Sequence, residues 1–304
     1  MSVMADLESI LDANSVFNQQ PMSNYTSFNV GGPAQYLVLP RDFSQVAQVV
    51  SYCNEKGIQW HVVGKGTNLL ISDEGLPGVV ILIEENLAEV KMVDTTITAQ
   101  AGASLQRVSS IARASSLTGL EFASGIPGTV GGAVAMNAGA YGGEIKDVLR
   151  RVLALSPQGD FVTYTPEEME LGYRHSVFQD NGHIVLEAEM ELKIGDRKDI
   201  KERMREYSRR RKEKQPLAQP SAGSTFKRPP GHYAGQLIDE CSLRGERWGG
   251  ASVSQKHCGF IVNDNHATAQ DIYNLIRRVQ VAVKAKHGVE LEPEVRIWGE
   301  FREE

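Results

Sequence analysis

Two glycine-rich stretches constrain this chain more than anything else in it. One reads Gly64-Lys65-Gly66-Thr67-Asn68, and the other runs from Gly125-Ile126-Pro127-Gly128-Thr129 through Val130-Gly131-Gly132-Ala133 to Asn137-Ala138-Gly139. Glycine has no Cβ, so its backbone takes up positive φ and lets amides come close to a ligand. A run of such amides forms a concave nest for an anion such as a diphosphate. Two nests in one chain imply a large phosphorylated cofactor held mainly by main chain. Tight turns between strands are the competing account, and they explain one such loop more readily than two.

The common nucleotide and hydrolase motifs do not fit. The first loop reads Gly-x-Gly-x-x-Leu and lacks the third glycine of the dinucleotide fingerprint, while glycines at 125, 128, 131 and 132 have the wrong spacing. There is no Gly-x-x-x-x-Gly-Lys-[Ser/Thr], no His-Glu-x-x-His and no Gly-x-Ser-x-Gly. A net charge of −6 argues against a nucleic-acid partner. With 41% hydrophobic and 23% charged residues, the chain reads as an ordinary soluble globular protein, and 304 residues suit about two domains. No apolar run reaches membrane-spanning length, so membrane insertion is not expected. The first residues carry acids and no basic apolar leader, which argues against a signal peptide. Cys53, Cys241 and Cys258 lie far apart and the histidines lack ligand spacing, so neither a metal site nor a disulfide framework is expected. A reducing cytoplasm is the simplest compartment. Oligomeric state is not legible, and a monomer is the default expectation.

Helical and strand patterns alternate over the first 200 residues. Phe43, Val46, Val49, Val50 and Cys53 share one helix face, as do Leu105, Val108, Ile111 and Ala112. Trp60–Val63 and residues 79–83 and 95–99 read as strands. Residues 184–194 alternate apolar and polar, the mark of one long strand with one face buried. Residues 196–214 hold ten basic and five acidic residues and predict an exposed helix. The Pro- and Gly-rich stretch 216–231 predicts a domain boundary and a functional loop. A helix over 269–285 starts at the Thr268-x-x-Asp271 capping pattern and stops at Gly288, and residues 289–298 look strand-like.

Three polar segments carry candidate chemistry. Arg174, in Tyr173-Arg174-His175-Ser176, offers a fixed charge and five donors suited to a carboxylate or a developing enolate. A surface salt bridge accounts for it equally well. Ser224, in Gly223-Ser224-Thr225-Phe226-Lys227, has the setting of a sheltered proton donor, and a polar turn is the alternative. Glu292-Pro293-Glu294 would point two carboxylates the same way from a strand, either into a site or along an exposed edge. Arg210, Arg211 and Lys214, with Lys227 and Arg228, are either substrate-phosphate ligands or a solvated charge run.

In this order the segments resemble one family. Asn24-Tyr25-Thr26-Ser27-Phe28-x-x-Gly31-Gly32, the two glycine stretches, Tyr173-Arg174-x-Ser176, Gly223-Ser224-Thr225-Phe226-Lys227 and Glu292-Pro293-Glu294-Val295-Arg296 together are similar to the UDP-N-acetylenolpyruvoylglucosamine reductases. The resemblance runs from about Tyr25 to the end of the chain. It implies an α+β architecture: the two-subdomain FAD-binding fold of the vanillyl-alcohol oxidase type, over 1–80 and 81–205, followed by a small α+β substrate-binding domain over 206–304 whose last strand returns to the active site. The short gap at 177–182 resembles the second type of the family, which lacks a long tyrosine-bearing flap.

The resemblance also implies the chemistry. NADPH would reduce a FAD held by Tyr25, Gly64, Lys65, Gly66, Thr67, Asn68, Leu69, Gly125, Pro127, Gly128, Thr129, Gly131, Gly132, Ala133, Asn137, Gly139 and Ala140. The substrate would be UDP-N-acetylglucosamine-enolpyruvate, with Arg174 and Glu294 stabilising an enolate-like species and Ser224 protonating it. Lys65 stands near where relatives with covalent flavin carry a histidine, so the FAD is expected to be non-covalent. Nicotinamide would share the substrate site, which explains an NADPH enzyme without a Rossmann fingerprint. Another oxidase of the same fold, or a non-catalytic flavin binder, are the rival readings.

Overall fold

Every apolar stripe of helical period in the sequence becomes a helix in the computed structural model, which describes residues 2–303. The chain divides into two units that exchange segments. One comprises the residues up to Asn18 with Tyr36–Lys65 and Gly78–Arg211; the other comprises Gln19–Gln35, Gly66–Pro77 and the chain from Lys212 onward.

The first unit is α+β. Its helices are α1 (Val3–Ile10), α2 (Phe43–Lys56), α3 (Leu105–Ala114), α4 (Val130–Ala135) and most of α5 (Arg197–Lys214). Asp42 starts α2 by accepting from the Gln45 amide at 2.8 Å, and Val46, Val49, Val50 and Cys53 are its buried face. Strand Trp60–Val63 runs parallel to Leu76–Leu82, with Val63 opposite Leu82. An antiparallel sheet of five strands is ordered Phe161–Tyr164, Leu149–Leu155, Ile184–Glu191, Thr96–Gln100 and Val90–Val93. Ile184–Glu191 is the middle strand, and Leu186, Ala188 and Met190 on its inner face enter the hydrophobic core.

The expected long strand over 184–194 is broken. Pairing with Thr96–Gln100 stops at Glu191, and Lys193–Ile194 pair instead with Leu117–Thr118. Burial breaks with the pairing: Leu192 is still buried, but Ile194 is 82% exposed, so the apolar alternation of the sequence outruns the buried face by one position.

The second unit holds α6 (Ala234–Glu240), α7 (Ala269–His287) and a three-stranded antiparallel sheet of Arg247–Trp248, Ala251–Val253 and Ile261–Asn263. The cap on α7 is the one its sequence announces. Thr268 Oγ1 accepts from Asp271 N at 3.0 Å, Asp271 Oδ2 accepts from Thr268 N at 3.0 Å, and Gly288 closes the helix at φ +69°. Asp73 adds two bonds, accepting from Ala269 N at 2.8 Å and Gln270 N at 3.0 Å. Ile272, Leu275, Ile276, Val279 and Val283 are buried, as the stripe predicts.

The expected strand over 289–298 forms only at Arg296–Trp298, parallel to Leu69–Ile71. Proline has no N–H for a ladder, and residues 292–294 instead pair with 225–227 through an antiparallel bridge between Phe226 and Pro293. Among the described residues no helix is long and apolar enough to cross a membrane.

Candidate active site

In the first unit the two glycine stretches meet. A Cβ on Gly64 would lie 2.5 Å from Thr129 Oγ1, so glycine is what lets the first loop close on the second. Thr129 in turn caps α4, accepting from Gly132 N at 3.3 Å. Beside them, Gly131 N donates to Ala101 O at 2.8 Å, and a Cβ on Gly131 would crowd the Ala101 methyl. Along the first loop the amides of Lys65, Gly66 and Thr67 donate no hydrogen bond within the described residues, and the Lys65 ammonium forms no ion pair. Successive unspent amides beside a cation make an anion nest, so these residues fit the diphosphate of a dinucleotide. Burial pushes the nearby Glu84 carboxyl up, and the charge of Lys65 pulls it back down.

Arg174 sits on a tight turn. Gly172 and His175 bond to each other across it, Gly172 N to His175 O at 3.1 Å and His175 N to Gly172 O at 3.3 Å. The Arg174 backbone takes φ +54°, a left-handed conformation disfavoured for a side chain of this size. The turn is tied to the end of the second glycine stretch. Arg174 Nη2 donates to Gly139 O at 3.1 Å, and Ser176 Oγ donates to Ala135 O at 2.7 Å. The guanidinium also lies over the Tyr173 ring, 5.2 Å from its centre.

In the second unit Ser224 and Glu294 belong to one ribbon. Glu294 N donates to Thr225 O at 2.8 Å, and Lys227 N donates to Glu292 O at 2.9 Å. Thr225 is buried and fixed twice, its amide donating to Gly259 O at 2.8 Å and its Oγ1 accepting from Ile261 N at 3.0 Å. The Ser224 hydroxyl makes no hydrogen bond within the described residues. Asn68, at the end of the first glycine loop, ties into this ribbon. Its Nδ2 donates to Glu294 O at 3.0 Å and its carbonyl accepts from Arg296 N at 2.9 Å. Leu69 then opens the strand paired with Arg296. Gly66 takes φ +54°, and a Cβ there would overlap the Tyr25 carbonyl oxygen. Tyr25 therefore meets the loop through its backbone.

The cations nominated for substrate are placed diversely. Arg210 Nε binds Glu206 at 2.7 Å, Lys227 pairs with Glu292 at 2.5 Å, and Arg228 lies 4.7 Å from the Tyr233 ring centre. Lys214 ends α5 exposed. Arg211 is the distinctive one. Its Nε is buried with no hydrogen-bond partner among the described residues, and its guanidinium packs against Gly125, Nη1 lying 3.0 Å from where a Cβ would be. Burial lowers its pKa, opposed by Tyr141. Tyr141 itself escaped the sequence reading. It tips a hairpin of Gly139–Ala140 on Gly143–Glu144 and stacks on Tyr207, ring centres 4.6 Å apart. The signal was the Tyr141-Gly142-Gly143 turn directly after the nominated Gly139 and Ala140.

Residues 34–165 match the family described as FAD binding domain, so fold and loops define a FAD-binding oxidoreductase class. Residues 215–298 match UDP-N-acetylenolpyruvoylglucosamine reductase, C-terminal domain. A UDP-N-acetylenolpyruvoylglucosamine reductase of Caldanaerobacter subterraneus subsp. tengcongensis is 47% identical over 294 residues, 97% of either chain. One from Limosilactobacillus fermentum is 50% identical over 280 residues, 92% of this chain and 93% of its own. The crystal structure of the Thermus caldophilus reductase superposes with a TM-score of 0.79 at 37% identity, covering 93% of this chain and 98% of that one. The chain belongs to the UDP-N-acetylenolpyruvoylglucosamine reductase family.

Proposed function

We infer that the protein reduces the enolpyruvyl group of UDP-N-acetylglucosamine-enolpyruvate to the lactyl ether, giving UDP-N-acetylmuramate for peptidoglycan synthesis, with FAD as cofactor and NADPH as reductant. Bound FAD supplies a two-electron carrier between NADPH and the terminal methylene carbon of the substrate. What remains for the chain is to hold the charge that develops on the neighbouring carbon and its carboxylate, and to deliver one proton. Arg174 is assigned the charge. Its guanidinium brings a fixed fork of donors, and the bonds on its turn keep it from reorganising as charge builds. Glu294 is assigned the polarisation of the same species, and Ser224 the proton, passed from Oγ to that carbon.

The single observation that carries the serine and glutamate assignment is the ribbon in which Glu294 N binds Thr225 O while Asn68 of the cofactor loop binds Glu294 O. It supports a proton donor, a carboxylate and a cofactor loop acting as one assembly. The unengaged Ser224 hydroxyl supports a donor whose proton is not already committed. Arg211, with its buried and unpartnered Nε, is the favoured substrate-anion ligand of the nominated cations, and Lys227, already paired with Glu292, the least favoured.

The short connection from Ser176 to Ile184, holding only the turn Val177–Gln179, supports the type without a tyrosine flap. We propose the domain division 1–80, 81–205 and 206–304, a monomeric protein acting in the cytoplasm, and no nucleic-acid partner. Anaerobic half-reactions test the function: NADPH should bleach the bound flavin, and the enolpyruvyl sugar nucleotide should restore its colour. A yellow protein whose colour returns with oxygen but not with that nucleotide would sink the reading.

A further inference from the structure

Asn137 ends the second glycine stretch and stands among the residues nominated to hold FAD. Its side chain is fully buried and already spent. Nδ2 donates to Glu144 Oε2 at 3.0 Å and to Gly172 O at 2.8 Å, and Oδ1 accepts from Lys146 N at 3.0 Å. An amide NH2 has two hydrogens, so no donor remains for a cofactor.

What Asn137 holds is the carbonyl that opens the Arg174 turn. That turn keeps a bulky residue at φ +54°, a strained conformation that persists only when its surroundings over-determine it. The surroundings are specific. Asn137 fixes the entry at Gly172 O. Gln179 Nε2 fixes the exit, donating to Arg174 O at 3.0 Å and to Ala135 O at 2.7 Å.

We propose that Asn137 is a positioning residue for Arg174 and not a FAD ligand. Through Gly172 it aims the guanidinium, and it acts on the reaction only by way of that side chain. The inference rests on the reading of Arg174 as the charge-stabilising group.

Three measurements on the full chain test it. Titration of apoprotein with FAD, followed by flavin fluorescence, should give Asn137→Ala a dissociation constant within about twofold of the parent. A weakening of tenfold or more would make Asn137 a cofactor ligand and overturn the proposal. Bleaching by NADPH should keep its rate, while reoxidation by the enolpyruvyl sugar nucleotide should slow by about 10–100-fold, as a displaced catalytic group does. A double-mutant cycle then separates positioning from general damage. In an Arg174→Ala background, Asn137→Ala should slow reoxidation no further; full additivity overturns the proposal. Should the alanine variant fail to fold, Asn137→Asp keeps the shape and the acceptor for Lys146 N, removes both donors, and should give the same cycle. If Arg174→Ala alone leaves reoxidation intact, the reading of Arg174 fails. If it slows reoxidation and Asn137→Ala does not, only the positioning role fails.

Discussion

Ser224 is the residue whose loss should divide the reaction most cleanly. A positioned acid contributes about 10²–10⁴-fold, so Ser224→Ala should slow reoxidation by the enolpyruvyl sugar nucleotide by that factor. Bleaching by NADPH needs no proton from this hydroxyl and should continue. Stopped-flow absorbance of the flavin reads both steps, and equal loss in the two would remove Ser224 from the role. Gly66 makes a different kind of demand. Its φ of +54° and the Tyr25 carbonyl against it leave no room for a methyl. Gly66→Ala should cost about 1–3 kcal/mol in strain and lower the flavin content of the purified protein, seen as a reduced ratio of 450 nm to 280 nm absorbance. Full yellow occupancy in that variant would mean the loop is looser than its contacts imply.

Among the elements, α7 shows what local sequence can specify. Its cap, apolar face and stop signal all lie within the helix or one residue beyond it, and all form as read. Thr268→Ala should destabilise by about 1 kcal/mol. Asp73→Ala should do at least as much, because a carboxylate on two first-turn amides also opposes the positive end of the helix dipole. Urea midpoints of the two variants check this, and an unmoved midpoint for Asp73→Ala would show those bonds to be idle. Asp73 could not have been chosen from sequence, since it lies far from α7 along the chain. The same holds for the ribbon of 225–227 on 292–294. Pro293 signals that a regular strand is interrupted, but nothing in the local period names the partner. The bond from Asn137 to Gly172 O was not legible for a third reason: an amide at the end of a glycine loop looks alike whether it faces a ligand or a buried carbonyl. The glycine loops, Arg174, Ser224 and Glu294 stood out because their residue types are poor choices for plain packing.

For the whole molecule, acid should act through histidine before carboxylates. Burial depresses the pKa of His61, His183 and His257, and at His257 the charges of Arg244 and Lys214 lower it further. His257 Nδ1 also accepts from Gly259 N at 3.1 Å, which a protonated nitrogen cannot do. Unfolded histidine titrates near about 6.5. Below that pH the unfolded chain binds more protons than the native one, so stability is present above this value and is lost as pH falls toward the depressed native values. Urea midpoints should drop between pH 7.5 and pH 5.5, and less so in His257→Gln. Cofactor should act in the opposite sense: FAD at about 100 times its dissociation constant adds about 2.7 kcal/mol. Stripping it should lower the melting temperature by several degrees. The pairing of Leu69–Ile71 with Arg296–Trp298, and of Asn68 with Glu294, also sets an order of events in the cell. An early stretch acquires its final neighbours only once residues 294–298 have been made. A polypeptide cut before residue 292 would leave Asn68 and Leu69 without those neighbours and should purify colourless, even though every residue nominated for the prosthetic group lies upstream of the cut.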